Sequence, residues 1–344
     1  MAVDEIALAK KVKSQFERLR SQQQFKSVAK LLTYALQILP SEYNRQIFGY
    51  IPGIFRQVEI RNYAISLGEI YIGEPIIYKV YYSNAQQLYN LSYFYLFCYL
   101  KRDSSQLNVH FQSAHPNYNN LTYKEYDLDR KKIVFEGSTS AFNGDNISVI
   151  SISDPGQFIP QIASSYYVGS PKINFQRIIA NVLEKICNLA KLELGQTLLF
   201  GSSAGTFGAL LSSTYLPQKT NVLAVNSQIK LQYRRQLMQP LLNSIEPKKL
   251  LELYGDRLDC IYRFKQDLVS IPNIYLLANV NDNLHSRNFE FYQLLISEFS
   301  QKGMNNQFVF DSYYGVDGHG RPETDSLKAK IRIAREVLTM KSRQ

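Results

Sequence analysis

Gly201-Ser202-Ser203-Ala204-Gly205 places a serine between two glycines, after a short apolar run (Thr197-Leu198-Leu199-Phe200) and before a run of small residues reaching Ser213. This is G-x-S-x-G in a strand–turn–helix setting. There the serine sits on a cramped turn with its hydroxyl pushed out at the end of a sheet, and the glycines remove side chains that would clash. A serine hydroxyl is a poor nucleophile at neutral pH. It needs a base within hydrogen-bond reach, an acid that orients the base, and N–H donors aimed at the developing oxyanion. Without them the same five residues are an ordinary strand-to-helix turn.

The chain offers four histidines: His110, His115, His285 and His319. His110 lies inside a strand-like run and reads as packed. His115 precedes a proline, and His285 lies just past the Asp282 turn. His319 stands between two glycines, after the last apolar strand and before the last helix, which is where a base belongs in the order serine, acid, histidine. His115 and His285 remain the alternatives. Asp282 ends the strand preceding the histidine strand and is the acid that this order selects. Asp154 is its rival, and Asn281-Asp282-Asn283 is also good turn chemistry. One oxyanion donor is expected from Ala204 N–H. The second is expected from the loop after Leu107–Phe111, at Gln112 or Ser113, with the Asp154-Pro155-Gly156-Gln157 turn next nearest. Asp154, Gln157 and Gln228 lie at strand ends and are read as substrate contacts.

Elements must hold these residues together. Apolar spacing predicts two helices over residues 4–39, a hairpin that serves either to dock a partner or to pack. Residues 55–82 are β-rich, with antiparallel strands expected, and Leu91–Leu100 reads as a strand buried on both faces. Strands then alternate with helices: 107–111, 147–152, a helix around 178–190, 197–200, 222–225, charged helices over 229–268, 273–280, a helix over 287–302, 307–310, and a last helix over 323–340. That rhythm predicts an α/β chain with a mostly parallel sheet flanked by helices, its chemistry gathered beyond the carboxyl ends of the strands.

Composition narrows the classes. The 344 residues are 45% hydrophobic and 20% charged, which fits a well-cored protein. The net charge is +10, but the basic residues are scattered and no nucleic-acid motif accompanies them, so a solvated basic surface is expected and nucleic acid is not. Cys98, Cys187 and Cys260 have no metal-ligand spacing and form no disulfide framework, so no metal is expected. The first fifteen residues lack an apolar signal core, and the ten apolar residues Leu91–Leu100 are too few to span a bilayer. A cytoplasmic protein is expected, with peripheral membrane association left open.

The region from about Leu107 to Met340 resembles the α/β-hydrolase superfamily, on the elbow, Asn281-Asp282-Asn283 and Gly318-His319-Gly320. VHFQSAHP, ISISDPGQF, FGSSAGTFGALL, AVNSQIKLQY and VDGHGRP are similar to bacterial proteins that O-acetylate capsular or surface-protein glycans, including the acetyltransferase of the accessory Sec system. Joined to the elements read above, the expected organisation is a hairpin appendage at 1–50 and an α/β-hydrolase domain over 51–344, with an opening β-rich part at 51–105 and a catalytic core at 106–344. The N-terminal helices and the tyrosine-rich strands fall outside the resemblance. The resemblance implies acyl transfer through an acyl-serine, acetyl-CoA as co-substrate rather than bound cofactor, and a glycan or small ester as substrate. A hydrolase-fold interaction subunit without catalysis, joined to a protein partner through residues 1–50, is the alternative.

Overall fold

A computed structural model of the chain describes residues 2–38, 55–61, 64–67, 70–82, 93–114, 135–155, 164–171, 173–231, 252, 254–266, 269–299 and 306–339. Ten strands form one sheet: β1 (Phe55–Arg61), β2 (Ala64–Ser66), β3 (Pro75–Tyr82), β4 (Tyr93–Tyr99), β5 (Leu107–Phe111), β6 (Ser148–Ile152), β7 (Thr197–Ser202), β8 (Asn221–Val225), β9 (Asn273–Asn279) and β10 (Phe308–Tyr313). They lie in the order β2-β1-β3-β4-β6-β5-β7-β8-β9-β10. β4 runs antiparallel to β3 and β6, while β6, β5, β7, β8, β9 and β10 run parallel to one another. In the opening part β1 pairs antiparallel with β2 but parallel with β3, the one pairing there that departs from the antiparallel expectation.

The parallel strands are short continuous apolar runs because both faces are covered. β5, β7, β8 and β9 are buried along their whole length. On one face lie α3 (Phe175–Ala190), α4 (Ala204–Ser213), α5 (Cys260–Phe264) and α6 (His285–Leu294), which meet the sheet in a continuous core. α3 shows why: Asn174 caps its first turn by accepting from Arg177 N–H, and Ile178, Ile179, Val182, Leu183 and Ile186 form its buried stripe. The opposite face is shared. The last helix, α7 (Thr324–Thr339), covers Leu198, Phe200, Leu223 and Tyr275 with Ala334 and Leu338.

The other half of that face carries the N-terminal hairpin, α1 (Ala2–Ser21) and α2 (Phe25–Ile38). Val12, Phe16, Val28, Leu32 and Leu36 pack with Ile77, Tyr95, Phe97 and Val149 of the sheet. Of the two roles open for the hairpin, its apolar stripe performs the packing one. At the amino ends of the strands, Arg335 of α7 reaches into the sheet and donates to the carbonyls of Gln196 at 2.8 Å and Leu107 at 2.9 Å. Burial pulls its pKa down to about 10, so it stays charged at neutral pH. No described helix is long and apolar enough to cross a membrane.

Candidate active site

Ser203 sits between β7 and α4 with φ 52° and ψ −120°, a strained left-handed conformation for a residue with a side chain. Its backbone N–H is held by Val225 O at 2.9 Å. The two glycines let strand and helix close on this turn. A Cβ on Gly201 would overlap Gly205, and one on Gly205 would stand 2.6 Å from Phe111 O.

The turn aims the serine hydroxyl at the loop after β10. His319 Nε2 is 2.7 Å from Ser203 Oγ, and His319 Nδ1 is 2.7 Å from Asp282 Oδ2. The network fixes the tautomer: Nδ1–H donates to the carboxylate, and Nε2 accepts the serine O–H. Asp282 lies in the turn after β9, its carboxylate almost wholly buried, and its other oxygen accepts Leu284 N–H at 3.0 Å. Of the remaining histidines, His285 and His110 stay apart from this cluster. His285 starts α6 and bonds Ser312 Oγ. His110 is buried in β5 beside Phe200, where desolvation first, and then Arg321 and Arg335, push its pKa down to about 4. His115 lies outside the described residues.

Two asparagines that sequence reasoning gave no role hold the histidine loop. Asn226 follows β8 with φ 48°, and its side-chain amide donates to Tyr313 OH at 2.8 Å and to Gly320 O at 3.0 Å. Asn279 ends β9 and donates to Gly315 O at 3.0 Å and Gly318 O at 2.6 Å. Neither has any exposed surface. The signal available was a polar residue at the last position of an apolar strand, which alternation alone does not separate from turn chemistry.

The loop after β5 is bonded internally. Gln112 N–H donates to Ile152 O at 3.1 Å, and Gln112 O accepts the Tyr167 hydroxyl at 2.9 Å. Ser113 N–H donates to Glu136 Oε1 at 2.8 Å. The two backbone donors expected from this loop thus already have acceptors. Glu136, also unforeseen, is buried and takes Arg321 from the histidine loop on its other oxygen at 2.9 Å. Asp154 is likewise buried. Its carboxylate accepts Ser165 N–H at 2.9 Å together with the Ser164 and Ser165 hydroxyls, so it braces the 164–167 segment rather than facing a cleft. Gln157 lies outside the described residues.

Gln228 does reach the serine. Its Nε2 stands 3.2 Å from Ser203 Oγ, and its backbone N–H donates to Thr206 Oγ1 at 3.1 Å. Thr206 Oγ1 in turn donates to Ser203 O at 2.6 Å. Ala204 N–H is in the first turn of α4, where amides have no intrahelical acceptor and the helix end carries positive potential. Beyond Gln228 opens a cavity of about 290 Å³, walled by Ile229, Ile261, Leu284 and Phe291 with Lys230 and Arg287 among its polar groups.

Strand order, crossover helices and the elbow together make this an α/β-hydrolase fold. No protein-family model and no curated protein sequence matches the chain. Among solved structures it is similar to the capsule O-acetyltransferase of Neisseria meningitidis serogroup A, at 16% identity over 75% of this chain and 93% of that one, with a TM-score of 0.48. A further structure of that enzyme is a complex with CoA. It is also similar to the fluorophosphonate-binding serine hydrolase FphF of Staphylococcus aureus, at 14% identity over 76% of this chain and 98% of that one, with a TM-score of 0.47. None of these scores reaches 0.5, so the chemistry rests on the geometry of this chain.

Proposed function

We propose that the chain is a serine-dependent acyl enzyme with Ser203 as nucleophile, His319 as base and Asp282 as the group that orients it. The observation that carries this reading is the continuous contact Asp282–His319–Ser203, 2.7 Å at each link, on a strained elbow at the end of a parallel strand. His319 takes the serine proton as Oγ attacks an acyl carbonyl. Asp282 stabilises the imidazolium, and His319 returns the proton to the leaving group. An acyl-serine then passes its acyl group to a hydroxyl or to water. Within this reading the donor is an activated acyl ester or thioester such as acetyl-CoA. The acceptor is a sugar hydroxyl of a bacterial glycan, with esterase activity in its absence. The free thiols of Cys98, Cys187 and Cys260 fit a reducing compartment, so the reading includes a cytoplasmic location.

An intact contact chain weighs against a non-catalytic interaction subunit, because such a protein has no use for the strain at Ser203. A fluorophosphonate probe is expected to label the wild-type chain and not Ser203→Ala, with hydrolysis of p-nitrophenyl acetate lost in parallel by about 10³-fold or more. A folded wild-type chain that takes no label and turns over no ester would sink the proposal.

A further inference from the structure

We infer that the side-chain amide of Gln228 is the second oxyanion donor, working opposite Ala204 N–H. This rests on the acyl-serine reading and deepens it. An oxyanion hole needs donors that are not already spent. The amides of Gln112 and Ser113 are bonded to Ile152 O and Glu136 Oε1. In the loop after β8, Ser227 N–H is held by Asn288 Oδ1 and Gln228 N–H by Thr206 Oγ1. The Gln228 Nε2 group, in contrast, donates to the reacting atom itself, Ser203 Oγ.

The amide orientation follows from the serine. Ser203 O–H is given to His319 Nε2, so Oγ has only lone pairs left for Gln228, and the nitrogen must face it. As the reaction starts, Oγ forms a bond to the carbonyl carbon, the C=O π pair moves onto the oxygen, and the serine proton goes to His319. Oγ becomes an ester oxygen and a weak acceptor. The N–H that had pointed at it lies beside the new oxyanion, one bond further on, and exchanges the weaker acceptor for the charged one. When the intermediate collapses, the lone pair reforms C=O, the bond to the leaving group breaks, and His319 protonates that group. The donor is therefore stronger in the transition state than in the ground state, which is what accelerates a reaction.

Gln228 is also pre-set for the task. It is nearly fully buried, and its backbone is tied to the elbow helix through Thr206. Its Oε1 is buried without a bond partner among the described residues, and Gln228 is one of the residues that line the cavity.

Gln228→Met keeps the length of the side chain and removes the donor. With p-nitrophenyl acetate, kcat is expected to fall by about 10²–10³-fold while KM moves less than about 3-fold. Affinity for a trifluoromethyl ketone, which forms the tetrahedral adduct, should fall by a similar factor. Gln228→Glu supplies a second readout: its rate relative to wild type should rise as pH falls and the carboxyl gains a proton to donate. Gln228→Met with kcat within threefold of wild type overturns the inference. So does a Gln228→Glu ratio that stays flat with pH, which applies even if the methionine variant does not fold. A wild-type chain without labelling or turnover fails the acyl-serine reading itself. Active wild type with an undiminished Gln228→Met fails only the oxyanion assignment.

Discussion

The loops after β5 and after β8 flank Ser203 from the two neighbours of β7, and they are built on opposite plans. At the β5 exit, Gln112 and Ser113 give their amides to Ile152 and Glu136, Gln112 O is capped by Tyr167, and Gln112 Oε1 accepts Asp154 N–H. At the β8 exit the backbone is equally well held, by Asn288 and Thr206, but one side-chain amide is left over and points at the nucleophile. A buried polar group without a partner costs about 1–3 kcal/mol. The β5 loop avoids that cost at the Gln112 and Ser113 N–H groups and at Gln112 Oε1, each of which has a protein partner. The β8 loop leaves Gln228 Oε1 and Ser227 Oγ unsatisfied, so its groups are available to something that is not protein. Substitutions at the β5 exit should therefore move stability, and those at the β8 exit should move rate.

Between the two loops the largest effect expected is that of Gln228→Met, about 10²–10³-fold in kcat, with the unfolding midpoint in urea almost unchanged. Glu136→Ala reverses the balance. It removes the acceptor of Ser113 and the partner of Arg321 from a buried position, and is expected to cost about 3 kcal/mol in urea unfolding. On the folded enzyme kcat should fall by less than about 5-fold, and a loss comparable to that of Gln228→Met would erase the distinction between the loops. His110, in β5 beneath the same exit, adds a pH signature. Its folded pKa of about 4 lies below the ordinary histidine value of 6.5. Between those values the unfolded chain binds more protons than the folded one, so stability is full above pH 6.5 and is lost as pH falls toward 4. At pH 5 the loss is about 2 kcal/mol, and His110→Leu should remove that part of the acid sensitivity.

The same contrast explains what was legible in the sequence. Ser203, Asp282 and His319 each follow or end an apolar strand in chain order, and apolar runs of four to seven residues are visible without a structure. The fold was legible for the same reason: β5, β7, β8 and β9 are buried on both faces and read as unbroken hydrophobic stretches. What escaped depends on pairing between distant residues. Whether Gln112 N–H is free is decided by Ile152, forty residues away and in a strand that inserts between β4 and β5 in the sheet. Glu136 finds Ser113 and Arg321 across 23 and 185 residues, and no periodicity announces either contact. Asn226 and Asn279 carried no role in the sequence, while their amides span the gap to the histidine loop. The β1–β3 pairing is parallel although the segment has the composition of a hairpin, because strand composition sets burial and not direction.

Thr206 joins the two plans, since it sits on the elbow helix and holds the backbone of Gln228. Thr206→Val keeps the shape and deletes the hydroxyl, leaving Gln228 N–H buried without its acceptor. The expected cost is about 1–2 kcal/mol in stability, and the slackened Gln228 should lower kcat by about 5–10-fold, with Thr206→Ser restoring both. The discriminating measurement is the double variant. If Thr206 acts on rate only by placing the Gln228 amide, Thr206→Val in a Gln228→Met background should lower kcat by no more than about twofold further, because the group it positions is already gone. Its stability cost should persist there undiminished. A rate loss that adds in full would mean that the hydroxyl serves the serine through its bond to Ser203 O, and the fixed placement of Gln228 would not be what makes the β8 loop catalytic.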